Sequence, residues 1–147
     1  MSFFGSLDTS ASGLTAQRLR LDIISQNMAN VNTTRTEEGG PYKRKSVVFE
    51  QINNTPSSSF SSILNQKRQS GNNGVRVAEI IEDESQGSLV YNPSHLDANE
   101  QGYVEMPNVN TIDEMVNMIS ASRSYEANLN SFNSMKAMFT KALEIGK

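Results

Sequence analysis

Apolar residues recur every seven positions at the two ends of this chain, and the residues between the ends follow no such period. From Ser6 to Val31 the series is Leu7, Leu14, Leu21 and Met28, with Ala11, Ile24 and Val31 at offsets of three or four. A seven-residue repeat puts these side chains on one narrow stripe of an α-helix, the pattern of a coiled-coil seam. Arg18 and Ser25 interrupt the second seam, while Leu19 and Ile23 lie off the stripe and widen it. From Thr111 to Ile145 the pattern returns more strongly as Met118, Tyr125, Phe132 and Phe139. Ala121, Met135 and Ala142 follow on one side, and Met115, Leu129 and Leu143 on the other. At 1.5 Å per residue the two helices are about 39 and 50 Å long. The expected fold is therefore mainly α with a small β insert, its two long terminal helices antiparallel and paired as a coiled coil. The helical parts occupy residues 1–34 and 108–147, and the insert 35–107.

Helix ends are marked by residue type. Asp8, Thr9 or Ser10 offer side-chain oxygens to the free N–H groups at the first start, and Thr111 followed by Glu114 reads as a capping box at the second. The first helix runs into "NMANVNTT", where Asn27, Asn30 and Asn32 crowd into six positions. Asn tolerates the left-handed conformation that closes many helices, so Asn30 or Asn32 is the expected stop.

The insert reads differently. "YKRKSVVFEQ", "GVRVAEIIED", "GSLVYNP" and "GYVEMP" are short β-branched or aromatic runs bounded by Gly, Asn and Pro, which suit a small antiparallel sheet. Residues 53–74, "NNTPSSSFSSILNQKRQSGNNG", read as a long Ser/Asn-rich loop.

Composition limits what such a chain can do. Leu, Ile, Val and Phe supply 33 of 147 residues and Ser and Asn together 36, which implies much surface and little core. With no Cys there is neither a disulfide nor a thiolate metal site. A net charge of −3 gives no reason to expect nucleic acid as a partner. Neither a cleaved signal peptide nor a membrane span is expected.

No residue cluster calls for catalysis. His95 is the one histidine, and Ser94 and Asp97 beside it in "NPSHLDAN" are too close in sequence to form a triad, so a structural turn is expected. Gly39 and Gly40 match no phosphate-binding pattern. The run Lys43, Arg44, Lys45 is expected to be a solvated strand face, with a subunit contact as the alternative. No enzyme activity, cofactor, metal or small-molecule substrate is expected. Two helices in a hairpin cover only one side of each other, which leaves Leu19, Ile23, Met138 and Ile145 partly bare and in need of a partner.

Both ends also resemble a known family. "GLTAQRLRLDIISQNMANVNTTRT" is similar to the N-terminal motif of the rod and hook group of bacterial flagellar axial proteins, where a helix closes in an "N-x-A-N-x-N-T" element. "SRSYEANLNSFNSMKAMFTKALEIGK" resembles their C-terminal helix, and "YNPSHLDANEQGYVEMPNVN" the segment before it in the short proximal-rod type. The resemblance covers residues 5–52 and 88–147. Leu96 departs from it, since such proteins commonly carry Pro after the His.

The resemblance implies a structural subunit of the basal-body rod, passed uncleaved through the flagellar export apparatus and assembled across the periplasm. Its partners are copies of itself and other axial proteins, its terminal helices forming an inner tube around the export channel. On this reading Leu14, Leu21, Ile24, Met28, Tyr125, Leu129, Phe132 and Phe139 are the subunit-packing set. Asn27, Asn30 and Asn32 present amides at subunit junctions, where an amide can both donate and accept. A helical-hairpin adaptor holding one protein partner is the alternative. A small hydrolase built on Ser94, His95 and Asp97 is a distant third.

Overall fold

A computed structural model describes residues 3–37, 39–52 and 74–145; apart from Gly74, the Ser/Asn-rich loop expected at 53–74 lies outside the described residues. Helix α1 spans Phe3–Ala29 and helix α2 spans Thr111–Ile145. Between them are strands β1 (Lys45–Gln51), β2 (Val75–Glu82), β3 (Leu89–Tyr91) and β4 (Tyr103–Glu105). The four expected strand segments all form, but as two two-stranded sheets, β1 with β2 and β3 with β4, and not as one. The described residues fall into two compact units. One takes 3–18, 49–52, 74–78 and 122–145, and the other takes 19–37, 39–48 and 79–121.

In the first unit α1 and α2 meet in antiparallel sense, since Phe4 packs edge-on against Phe139 at 6.3 Å between ring centroids while Gly13 lies against Asn128. A Cβ on Gly13 would stand 3.0 Å from the Asn128 amide nitrogen. A side chain there would require the Asn128 amide to shift by a few tenths of an ångström. Ser12 Oγ donates to Thr9 O and accepts from Val75 N–H at 3.1 Å, which ties the start of β2 to α1. Thr9 itself is no N-cap. α1 starts three residues earlier than expected, and the Thr9 hydroxyl bonds back to Gly5 O within the helix.

The faces that α1 covers also differ from expectation. Its buried residues are Gly5, Gly13, Ala16, Ile23, Ile24 and Asn27. At 3.6 residues per turn this line lies about a third of a turn from Leu7, Leu14, Leu21 and Met28, which are only half-buried. Ile23, expected to be partly bare, is buried. On α2 the expected line holds better: Ala121 is buried and Met118, Tyr125, Phe132 and Met135 are half-buried. Met115, Leu129, Met138, Phe139, Leu143 and Ile145 are exposed.

Both inner helix ends correct the sequence expectation. Among the described residues no non-glycine has positive φ, so neither Asn30 nor Asn32 is left-handed. α1 stops because Asn30 turns its amide back, Nδ2 donating to Gln26 O at 2.9 Å, and its main chain tightens into three-residue turns through Val31 and Thr33. At the start of α2 the cap is Asn110, whose Oδ1 accepts from Ile112 N–H. Glu114 does not return to the cap, because its side chain is fully buried elsewhere.

The β1–β2 ladder is closed at its ends by Ile52 N–H to Gly74 O and by Asp83 N–H to Arg44 O. Residues 74 to 83 advance one position more than 44 to 52, so β2 carries one extra residue. Its inward and outward alternation accordingly stops after Val77. The β3–β4 hairpin pairs Leu89 with Glu105, Val90 with Val104 and Tyr91 with Tyr103. The connection, residues 92–102, ends in a turn in which Gly102 N–H donates to Asn99 O, and Gly102 takes φ +80 there.

Candidate functional site: a buried polar node

The second unit is organised around Asn27, near the last turn of α1. Its side chain is 1% exposed and every bonding position of the amide is occupied. Nδ2 donates to Lys45 O at 2.8 Å and to Glu114 Oε2 at 3.0 Å. Oδ1 accepts from Tyr42 Oη and from Lys45 N–H, each at 2.9 Å. One carboxamide at the end of a helix thus pairs with the loop before β1, the first residue of β1 and the start of another helix, as only Asn or Gln can.

Glu114 is the counterpart on α2, with a relative exposure of 0%. Burying a carboxylate costs several kcal/mol unless it is paired and hydrogen-bonded, and here it is both. Arg44 meets it with two guanidinium nitrogens, Nε and Nη2, both 2.8 Å from Oε1, while Asn27 holds Oε2. Asn108 braces the guanidinium's own backbone. Its Oδ1 accepts from Arg44 N–H at 2.7 Å, and its Nδ2 donates to Asp83 O and Ser85 O. Lys45 Nζ reaches Glu82 at 3.2 Å. The run 43–45 is therefore no solvated face: Lys43 alone is exposed, and Arg44 and Lys45 are half-buried in the node.

Tyr42, 8% exposed, completes the node. Burial holds its phenol above the ordinary value of 10.0, and the carboxylates of Glu82 and Glu114 add to the shift. The folded-state value exceeds the unfolded one, so the neutral phenol contributes fully below the unfolded value and is lost as pH rises through the folded value. Ionised, it can no longer donate to Asn27. Thermal melts of the purified chain are expected to show stability falling above about pH 10, with a shallower alkaline limb for Tyr42→Phe; identical limbs would exclude Tyr42 as a cause. At Asp83 the bonds from Ser85 pull the carboxyl the other way, below its ordinary range.

Around His95 the expected turn is present. His95 N–H donates to Asn92 O, Ala98 N–H to His95 O, and His95 Nδ1 accepts from Asp97 N–H at 3.1 Å. Ser94 turns to Asn92 and not to His95, while Asp97 accepts from the Thr34 hydroxyl at 2.8 Å. With Nδ1 facing a main-chain donor and Ser94 directed elsewhere, the three residues have no nucleophile–base geometry. Among the described residues no group of three or more His, Cys, Asp or Glu could hold a metal ion, and no helix is long and apolar enough to cross a membrane.

The residues expected at subunit contacts are dispersed. Ile24 is buried; Leu14, Leu21, Met28, Tyr125 and Phe132 are half-buried; Leu129 and Phe139 are exposed. Asn30 is half-buried and Asn32 exposed, whereas the Asn27 amide has no bonding position left for a neighbour. Sequence reasoning placed Arg44 on a strand face and Glu114 in a capping box, and gave Tyr42 and Asn108 no role. The available signal was Glu114, which stands four residues before Met118 and seven before Ala121 on the covered line of α2. A lone acid on such a line needs a buried cation.

Comparison with known proteins gives the family. Residues 7–35 match the family described as "Flagella basal body rod protein", and residues 100–145 match "Flagellar basal body rod FlgEFG protein C-terminal". The chain is 51% identical over 154 residues to the flagellar basal-body rod protein FlgC of Bacillus subtilis, with all of both chains covered. It is 48% identical to that of Borreliella burgdorferi, covering 99% of this chain and 98% of the other. Identity to the Escherichia coli O6:H1 protein is 40% over 147 residues, again with both chains fully covered. The node of Asn27 and Glu114 joins the two matched segments, and with full-length identity at this level the chain belongs to the FlgC family of flagellar basal-body rod proteins, structural components of the motility apparatus.

Proposed function

We propose that this chain is a structural subunit of the proximal rod, assembling with copies of itself and with other axial proteins into a helical tube. The tube surrounds the export channel and transmits torque, and the chain reaches it as a substrate of the flagellar export apparatus. Residues 1–34 and 108–147 pair with those of neighbours as a coiled-coil inner layer, and 35–107 form the β-rich insert. One observation carries the reading: Ile112, Met115, Val116 and Ile119 stand exposed on one face of the first turns of α2, and a contiguous apolar patch on a polar, Ser/Asn-rich chain calls for a protein neighbour.

Leu14, Leu21, Ile24, Met28, Tyr125, Leu129, Phe132 and Phe139 form the packing set of this proposal. Asn30 and Asn32 lie at subunit junctions. Asn27 acts there indirectly, by holding the end of α1 in place. No active site is needed, because repeated heterologous contacts are enough to propagate a filament.

Truncating a well-packed Phe to Ala costs about 3 to 5 kcal/mol, and in an assembly the loss recurs at every copy. Cells carrying Phe132→Ala are therefore expected to be non-motile with no complete rods, Asn30→Ala cells to swim poorly, and His95→Ala cells to swim nearly normally. Motility and isolated basal bodies provide the measurement. Normal rods with Phe132→Ala beside rodless cells with His95→Ala would place the critical contacts in the insert and reject the proposal.

A further inference from the structure

Strand β3 presents an open edge as well as an open face. Met106 N–H donates to Ser88 O and Asn92 N–H to Gly102 O. Residues 88, 90 and 92 therefore turn their main-chain groups toward β4, and Leu89 and Tyr91 turn theirs away from it. The sheet has two strands, and among the described residues no strand pairs with that outer edge. Leu89 and Tyr91 (65% and 64% exposed) share one face with Tyr103 and Glu105, opposite the buried Val104. Tyr91 and Tyr103 pack edge to face at 5.3 Å between ring centroids. Such an edge is a template for an extended segment of another chain, whose main chain supplies affinity while the side chains beside it supply selectivity.

Charge names the segment. Residues 77–122 contain no Lys or Arg. Arg44, Lys45 and Arg35 reach them from elsewhere in the same unit, but they go to Glu114, Glu82 and Asp97. Glu105, directly across from Leu89, is exposed and has no ion pair or hydrogen bond to its carboxylate among the described residues. The stretch 51–78 is the reverse, with Lys67, Arg68 and Arg76 and no Asp or Glu. Arg76 is held by Glu50. Lys67 and Arg68 close the run "ILNQKR", residues 63–68, which Ile63 and Leu64 open.

We propose that residues 63–68 of a second copy of this chain dock as an extended segment on the outer edge of β3. Lys67 and Arg68 meet Glu105, and Ile63 and Leu64 lie along Tyr91 and Tyr103. A second copy is the source because within one chain Leu89, Tyr91 and Tyr103 are bare. This contact rests on the reading of the chain as a self-assembling subunit and lies outside the terminal helices. Segment and edge are different surfaces of one molecule, so the contact is heterologous and repeats from copy to copy.

The test uses the purified full-length chain in low salt, with self-association followed by sedimentation over a dilution series. Glu105→Lys, and Lys67→Glu combined with Arg68→Glu, are each expected to weaken association about threefold to tenfold. All three substitutions together swap the charges and should return close to the unmodified chain. Asn65→Pro with Gln66→Pro puts a residue without N–H at a paired position in either register, and should weaken association as well. Glu105 is exposed, so the thermal melt of Glu105→Lys should coincide with that of the unmodified chain. Normal association of the charge variants or of the proline variant would overturn the proposal. So would a charge swap as weak as its parents, or an unmodified chain that stays monomeric at every concentration. Basal bodies separate this failure from that of the underlying reading. If Glu105→Lys enters rods in normal yield, the contact is absent while rod membership stands; an unmodified chain missing from isolated rods removes rod membership itself.

Discussion

Arg44→Ala is expected to destabilise the purified chain by about 3 to 5 kcal/mol, the range found when one partner of a buried ion pair is removed. Glu114 would keep its full burial and lose both guanidinium contacts, leaving the Asn27 Nδ2 as its one hydrogen bond within the node. Domains of ordinary stability have only 5 to 15 kcal/mol in total, so much of the folded population at 37 °C is at stake. Removing both charges is a different operation. Arg44→Met with Glu114→Leu eliminates the stranded carboxylate and should lie much closer to the unmodified chain. Arg76 and Glu50 provide the control, since they pair at 2.9 Å with both side chains about half exposed; Arg76→Ala should change stability by no more than about 1 kcal/mol. Urea titrations of the three variants decide the matter. Equal losses for Arg44→Ala and Arg76→Ala would show that the node carries no special share of the stability.

Asn27→Asp separates shape from charge at the same place. The substituted carboxylate still accepts from Tyr42 and Lys45, but it faces Glu114 Oε2 at hydrogen-bond distance and Lys45 O with no N–H to give. Asn27→Ala instead leaves Tyr42 Oη and both main-chain groups of Lys45 without that partner. Each variant is expected to lose about 2 to 4 kcal/mol at neutral pH, from several buried groups left unsatisfied at 1 to 3 kcal/mol each. Their pH dependence should differ. Two carboxyls in contact raise each other's proton affinity. Their folded-state values then exceed the unfolded ones, so Asn27→Asp should regain stability as pH falls from 7 toward about 5. Asn27→Ala should gain nothing over that range. Melts that run parallel for the two variants would mean that Asn27 and Glu114 do not face each other. Loss of the node frees the end of α1 from β1 and from the start of α2, and on the proposed function such variants should also fail to complete rods.

What could be read from the chain by itself were properties carried by short stretches. The seven-residue recurrence of Met118, Tyr125, Phe132 and Phe139 marked α2, because helical period is a local consequence of spacing; it marked the covered face only in part, since Phe139 is exposed. The four β-branched runs marked four strands for the same reason. The terminal motifs were specific enough to place the chain among the flagellar rod and hook proteins, and Asn30 marked the end of α1 even though the left-handed conformation expected there does not occur.

Only the tertiary structure decided the rest, because it depended on groups that meet across long separations. Which line of α1 is covered could not be read from the repeat: Gly13, Ala16, Ile23, Ile24 and Asn27 are buried where Leu14 and Leu21 are only half-buried, and a hydrophobic repeat takes no account of what a segment meets across the fold. Glu114 looked like the second half of a capping box three residues after Thr111. Its carboxylate instead lies 70 residues in sequence from Arg44 and 87 from Asn27, and a sequence cannot reveal which buried charge is answered by which cation. Asn27 read as one helix-weakening asparagine among three, yet its four bonds make it the centre of the second unit. Periodicity settled where the elements lie, since it arises within a few turns of one segment. Pairing of buried polar groups settled how they are held, since an unsatisfied carboxylate or amide is costly enough to reject every arrangement that leaves it without a partner.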